Sequence, residues 1–164
     1  VQKLIVGMLT ERGVDLDSIA RLVLELQLPY NNRLTQEQCR ASVARVLEKR
    51  EVQNAVLTGL FLDILAEKGQ LPEPLQGIIT RDDPLYGVDE VLALNITNIY
   101  GSIGFTNFGY LDKVKSGILE NINTKVEGVV NTFLDDLVAA IAAAAAARLA
   151  HKSGGRGVSP LLKS

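Results

Sequence analysis

The stretch Phe133-Leu134-Asp135-Asp136-Leu137-Val138-Ala139-Ala140-Ile141-Ala142, continuing as alanine to Ala147 and then to Arg148, decides how this chain reads. Alanine is the strongest helix former, so the stretch predicts a helix, from about Lys125 to about His151. Its apolar run, Leu137–Ala147, is well short of the ~20 residues that a membrane-spanning helix needs. Charges close both ends, Asp135 and Asp136 before it and Arg148 and His151 after it. An apolar helix of this length belongs inside a protein core, where its small side chains let other helices approach closely. It predicts an all-α fold, a single-domain multi-helix bundle with a central Ala-rich helix.

Helical patterns continue outward from it. Leu4–Glu11 is a short apolar-rich stretch stopped by Gly13. Asp15 and Asp17 offer N-cap oxygens to a helix over Ser18–Gln27, where Ile19, Leu22, Val23 and Leu26 recur at three-and-four spacing. Thr35 with Gln38 makes a capping box for a helix over Gln36–Lys49, whose buried stripe is Cys39, Val43, Val46 and Leu47. Glu51–Lys68 reads as a longer helix ending at Gly69, and Leu75–Ile79 as at most a short one. Val88–Tyr100 and Phe105–Val114 follow, separated by a Gly101–Gly104 bend. No alternating strand pattern competes. The sum is about six to seven helices in one domain over residues 1–151, followed by a Gly/Ser-rich tail at 152–164.

Composition narrows the function. The chain has 164 residues, 47% of them hydrophobic but only 5% aromatic. Its mean hydropathy of +0.16 therefore comes from Ala, Val, Ile and Leu. Lys and Arg number 17 against 19 Asp and Glu, a net charge of -2, which argues against a sequence-independent nucleic-acid binder. The apolar fraction excludes an acidic disordered chain. The single Cys39 excludes a disulfide framework and a thiolate-rich zinc site. His151, the one histidine, follows the Ala run far from Cys39, which leaves no nucleophile–histidine triad. No Walker loop, dinucleotide glycine fingerprint or HExxH occurs. Val1–Thr10 lacks a signal-peptide pattern, so a cytoplasmic protein is expected.

What remains is carboxylate chemistry. Asp89 and Glu90 enter an apolar run, Asp112 follows Phe108, Tyr110 and Leu111, and Asp135 and Asp136 stand between Phe133-Leu134 and the alanines. A buried carboxylate costs several kcal/mol unless paired, protonated or bound to a cation. Hard oxygen ligands on several helices suit Mg²⁺ or Mn²⁺, and such an ion would organise phosphate oxygens. The plainer reading is that Asp89 and Glu90 meet the helix dipole in a first turn. Asp135 and Asp136 are expected nearer mid-helix, where that explanation does not apply. Glu51, Asn54 and Thr58 form a polar stripe that either lines the same pocket or faces solvent.

Three blocks around these acids resemble the phosphatidylglycerophosphatase A family: Val88-Asp89-Glu90-Val91, Phe108-Gly109-Tyr110-Leu111-Asp112-Lys113-Val114-Lys115, and Phe133-Leu134-Asp135-Asp136-Leu137-Val138-Ala139. They follow the family's D-E-V, F-R-x-F-D-x-x-K-P and D-D-x-x-A-G blocks in order and spacing, across roughly the C-terminal half, 87–151. Arg50-Glu51-Val52-Gln53-Asn54 and Leu62-Asp63 are similar to the soluble, all-helical low-temperature requirement C (YutG-like) branch. The resemblance implies Mg²⁺-dependent hydrolysis of phosphatidylglycerophosphate or another phosphomonoester, with Mn²⁺ as the alternative ion. It implies metal ligation by Asp89, Asp112 and Asp136, and a general base in Glu90 or Asp135. Phosphate or substrate contacts would come from Lys115, Arg50 and Asn54, and groove walls for a lipid from Phe105, Phe108 and Tyr110. The partner would be a phosphorylated small molecule or a lipid headgroup, with no nucleic acid and no spanning segment; peripheral membrane contact and homo-oligomerisation stay open. Gly109 stands where the family has Arg, Ser116 where it has Pro, and Asn131 among residues that replace its glycines. Those departures support a second expectation, a non-catalytic helical regulatory or binding protein that keeps the family core and its acidic metal site.

Overall fold

Helix starts follow the capping chemistry. In the computed structural model, which describes residues 1–154, α1 (Gln2–Glu11) ends in a turn where Gly13 takes φ +82°, a left-handed conformation that favours glycine. Asp15 then caps α2 (Leu16–Gln27), accepting hydrogen bonds from the Ser18 amide at 2.7 Å and the Ser18 hydroxyl at 2.5 Å. Those bonds to Ser18 hold the Asp15 carboxyl below its ordinary pKa. Thr35 and Gln38 form the expected capping box of α3 (Gln36–Val46). After α4 (Arg50–Glu67) and α5 (Leu75–Arg81) come α6 (Val88–Thr97), a 3₁₀ turn at Asn98–Tyr100, and α7 (Gly101–Val114). The short α8 (Ile118–Asn123) and the long α9 (Leu134–Gly154) complete the described residues, every regular element of which is helical.

Four expectations change. Nine α-helices among the described residues replace the expected six to seven, partly because α8 is too short to show a period. The Gly101–Gly104 segment opens α7 instead of bending the chain, and the break is the 3₁₀ turn before it. Helix α9 begins at Leu134, not near Lys125, because Val130, Asn131, Thr132 and Phe133 bond sideways to other elements. The tail expected at 152–164 starts as the last turn of α9, and its remainder lies outside the described residues.

Burial explains α9. Leu134 and every residue from Leu137 to Ala147 are at most 1% exposed, and the helix packs against α2, α3, α4, α6, α7 and α8. A helix apolar all round is stable only when enclosed in this way. Close approach is visible at Gly59 on α4, where a Cβ would meet Leu137 Cδ1 at 2.7 Å and Phe133 Cβ at 3.0 Å. The buried Ser42 hydroxyl donates to the Ala145 carbonyl at 3.0 Å, so this polar intrusion is satisfied. Cys39 is buried in the core, and burial raises its thiol pKa to about 11. Among the described residues no helix is long and apolar enough to cross a membrane.

Candidate acidic site

The start of α9 is built by partners distant in sequence. The Asp63 carboxylate, on the buried face of α4, accepts hydrogen bonds from the Phe133 amide at 3.1 and 3.2 Å and the Leu134 amide at 3.0 Å. It thus satisfies amides that every helix N-terminus leaves without intrahelical partners. Burial pushes its pKa up to about 8, against the opposing pull of the Phe133 amide and the Arg12 guanidinium. Upstream, Glu67 accepts from the Val130 amide at 2.9 Å and from Arg12 Nη2 at 2.6 Å. Arg12 also donates to Asn131 Oδ1 at 2.9 Å and to the Val130 carbonyl. Thr132 donates to the Ile79 carbonyl at 2.6 Å. Residues 130–134 are therefore tied to α1, α4 and α5 before α9 begins.

This places Asp135 and Asp136 in the first turn of α9, which overturns the mid-helix expectation. Asp89 and Glu90 lie in the first turn of α6, as read from sequence. Asp112 is in the last turn of α7, which ends at Lys115 in the left-handed conformation, φ +50°. Lys115 Nζ donates to Asp112 Oδ1 at 2.7 Å and to Asp135 Oδ2 at 3.1 Å. Acids at two positive helix ends and a cation at a negative one is the arrangement that helix dipoles favour. Burial would lower the Lys115 pKa, but Asp112 and Asp135 outweigh it and hold it above the ordinary lysine value.

Asp136 is the unusual group. It is 5% exposed, and among the described residues no hydrogen-bond donor reaches its carboxylate. Burial first, then the Asp135, Asp89 and Asp112 charges, push its pKa up to about 8, with Lys115 opposing. Burial also raises the Asp135 pKa against the pull of Lys115. Four of the expected residues, with Lys115, are thus brought within one field. Among the described residues no group of three carboxylate, thiol or imidazole side chains stands close enough to hold a metal as placed. In chemistry, carboxylate oxygens from three helix ends are the donor type that a hard divalent cation takes.

The other expected residues lie elsewhere. Glu90 is exposed and points its charge into none of these pairs. Arg50 and Asn54 are exposed near the start of α4. The adjacent Lys49 Nζ sits 5.8 Å from the ring centroid of Tyr100, beyond the far end of α6 from Asp89. The Glu51, Asn54 and Thr58 stripe is an exposed face. Of the aromatic walls, Phe108 is buried and Phe105 and Tyr110 are exposed.

Two residues were missed. Asp82 closes α5 with φ +53°, and burial and the neighbouring Asp89 raise its pKa while Lys125 and Lys115 lower it. With Asp135, Lys125, Thr80 and Asn131 it lines a cavity of about 290 Å³ beside the acids. As part of Asp82-Asp83-Pro84 it reads only as a turn, and nothing local marks it. Asp63 did carry a signal: it falls at helical spacing in the stripe Val52, Val56, Gly59, Leu60, a core position occupied by a charge.

A helical protein whose helix ends bring Asp89, Asp112, Asp135, Asp136 and Lys115 together, beside a cavity lined by Asp82 and Asp135, belongs to the class of proteins with an acidic site. The comparison with known proteins is more specific: the chain belongs to the phosphatidylglycerophosphatase A family, whose model matches residues 5–151. The match reaches well beyond the C-terminal half that carried the sequence resemblance. The uncharacterized protein YutG of Bacillus subtilis (strain 168) is 59% identical over 143 residues, 87% of this chain and 86% of that protein. A protein of unknown function from Bacillus stearothermophilus superposes with a TM-score of 0.91 at 59% identity, over 93% of this chain and 95% of that one. The low temperature requirement C protein from Listeria monocytogenes gives 0.90 at 59% identity, over 93% and 96%.

Proposed function

We propose that this chain is a divalent-cation-dependent phosphomonoesterase acting on phosphatidylglycerophosphate or a related phosphorylated headgroup. The observation that carries the reading is Asp136, a residue only 5% exposed whose carboxylate accepts no hydrogen bond among the described residues and is opposed by the charges of Asp135, Asp89 and Asp112. Such a group costs several kcal/mol unless a proton or a cation answers it. Asp89, Asp112 and Asp136 would hold Mg²⁺, or Mn²⁺ in its place. When bound, the ion supplies polarisation of a phosphoryl oxygen and a lowered pKa for a coordinated water.

The chain's own groups do the rest. Lys115 Nζ, now shared by Asp112 and Asp135, donates to a non-bridging phosphate oxygen. The positive ends of α6 and α9 add to that attraction. Asp135 Oδ2, freed from Lys115, takes a proton from the attacking water as its oxygen bonds to phosphorus. The ester P–O bond breaks, and the proton passes to the leaving alkoxide. Gly109 supplies no guanidinium to this step, so Lys115 carries the phosphate contact without a bidentate clamp.

One observation favours the second reading, a non-catalytic binding protein: Lys115 is shared in ion pairs by both Asp112 and Asp135, which offsets part of their charge. The test is calorimetric titration with Mg²⁺ beside phosphate release from phosphatidylglycerophosphate and from glycerol phosphate. The expected result is Mg²⁺ binding that Asp136→Asn abolishes, and Mg²⁺-dependent release that falls about 100-fold in that variant. Binding without release from either substrate supports the second reading. No Mg²⁺ binding at all sinks the metal site.

A further inference from the structure

At the end of α9 remote from the acids, the chain gathers cations. A cavity of about 630 Å³ opens between the last residue of α2, the loop that follows it, α3 and the last turns of α9. Arg45, Arg148 and Lys152 line it, and among the described residues no aspartate or glutamate does. Arg45 pairs with Glu48 at 2.9 Å. Arg148 and Lys152 reach no carboxylate among the described residues. The bond that Arg148 makes is a long one, 3.4 Å, to the Ser42 hydroxyl, which already donates to the Ala145 carbonyl. Arg148 and Lys152 stand four residues apart on one helix, a spacing at which like charges destabilise. The negative end of the α9 dipole answers Lys152, in the last turn. Arg148 lies a turn further in, where that attraction has largely faded.

Gln27 supplies a second, independent sign. It is 6% exposed and lines the same cavity, and among the described residues its side-chain amide makes no hydrogen bond. A buried amide left unanswered costs stability that an apolar side chain of similar shape would not. Asn31, Gln38 and the exposed Tyr30 complete the polar wall around it. The volume falls within the range of about 300–1,000 Å³ typical of small-molecule sites.

We propose that this cavity binds a free phosphate monoester with a hydroxylated body, its phosphate on Arg148 and Lys152 and a hydroxyl on Gln27. Charge selects the phosphate. A monoester carries close to two negative charges near pH 7, matching the two cations that no carboxylate answers, whereas a carboxylate ligand carries one. The guanidinium fork of Arg148 suits phosphate oxygens. The Gln27 amide offers both a donor and an acceptor, and a hydroxyl answers both where an ionised phosphate only accepts. A concave site with a buried amide in its wall suits a free molecule over a headgroup held in a flat bilayer. Arg148 lies twelve residues beyond Asp136 along α9, about 18 Å. The site uses neither the acids nor Lys115, so it stands or falls independently of the phosphatase reading.

The test is calorimetric titration of the full chain with ribose 5-phosphate and with inorganic phosphate, without divalent cation. The expected result is one ester bound per chain, more tightly than inorganic phosphate. Arg148→Gln should weaken both at least about tenfold. Lys152 is exposed, so Lys152→Gln should keep the helical fold by circular dichroism while weakening both severalfold. Gln27→Leu should weaken the ester about fivefold, leave inorganic phosphate unchanged and not lower the melting temperature. Lys115→Gln, at the acidic site, should change neither affinity. No binding of the ester overturns the proposal. So do affinities that withstand both Arg148→Gln and Lys152→Gln, that fall with Lys115→Gln instead, or that leave the ester indifferent to Gln27→Leu. Flotation with phosphatidylglycerol vesicles that Arg148→Gln abolishes, without binding of the free ester, overturns it in favour of a lipid headgroup.

Discussion

Asp63→Asn isolates the cost of one buried carboxyl. The group is fully buried, and its pKa is raised from 3.8 to about 8. The sign follows from proton counting. Between those values the unfolded chain has released the proton and the folded chain still holds it, so stability falls as pH rises. The contribution is complete below about pH 4 and is lost as pH climbs through about 8. One pH unit in that window is worth about 1.4 kcal/mol, so raising the pH from 6 to 8 should remove about 2–3 kcal/mol. Asparagine keeps the shape and an acceptor for the Phe133 and Leu134 amides but cannot ionise. Urea unfolding at several pH values should show wild type losing this stability toward pH 8 relative to Asp63→Asn, so that the variant gains on wild type. The comparison is made in an Asp136→Asn background, because Asp136 titrates in the same range. A wild-type-minus-variant difference that is flat from pH 6 to 8 would refute the reasoning. It would mean that the two amides and Arg12 keep Asp63 ionised throughout.

Two further perturbations test the frame around the site. Arg12→Ala should cost about 3–5 kcal/mol in chemical denaturation, because it leaves Glu67, Asn131 and the Val130 carbonyl without their shared cation. Arg12→Lys should recover only part, since one ammonium cannot span the fork. Gly59→Ala should lower stability by about 1–2 kcal/mol even though alanine favours helix, because its Cβ lands on Leu137 and Phe133; an unchanged or raised melting temperature would show that α4 and α9 are less tightly fitted than described.

Local signals carried the helices and half of the site. Thr35 with Gln38 and Asp15 with Ser18 announce their caps because the interacting groups lie within one turn. The beginning of α9 was invisible for the opposite reason. Its capping groups, Asp63 and Glu67 on α4 and Arg12 after α1, are far away in sequence, and without them alanine propensity extends the helix backward too far. That error displaced Asp135 and Asp136 to mid-helix and hid their contact with the dipole. The acids themselves were legible because charges beside apolar runs are costly. Arg50 and Asn54 were placed with them on resemblance, and the run of α4 alongside α6 carries them to the other end.

Backbone conformation supplies the remaining step. Three non-glycine residues in the described chain take positive φ: Asp82, Leu85 and Lys115. All three border the acids. Asp82 and Leu85 are in the loop that delivers Asp89, and Lys115 ends the helix that carries Asp112. Each such conformation costs on the order of 1–3 kcal/mol and persists only where surrounding structure enforces it. Aspartate is the residue type of the three that tolerates this conformation best; leucine and lysine rarely adopt it. Leu85 is fully exposed, so its side chain does not account for the strain through packing. The same few turns also hold Asp136, 5% exposed and without a hydrogen-bond donor among the described residues. Strain and desolvation gathered at one place, beside a core filled with alanine and leucine, support the reading of that place as a binding site. Under the proposed function a cation at Asp136 would turn those costs into affinity: binding Mg²⁺ should raise the melting temperature of the wild-type chain, and Asp136→Asn should raise it without Mg²⁺ while abolishing the Mg²⁺-dependent increment.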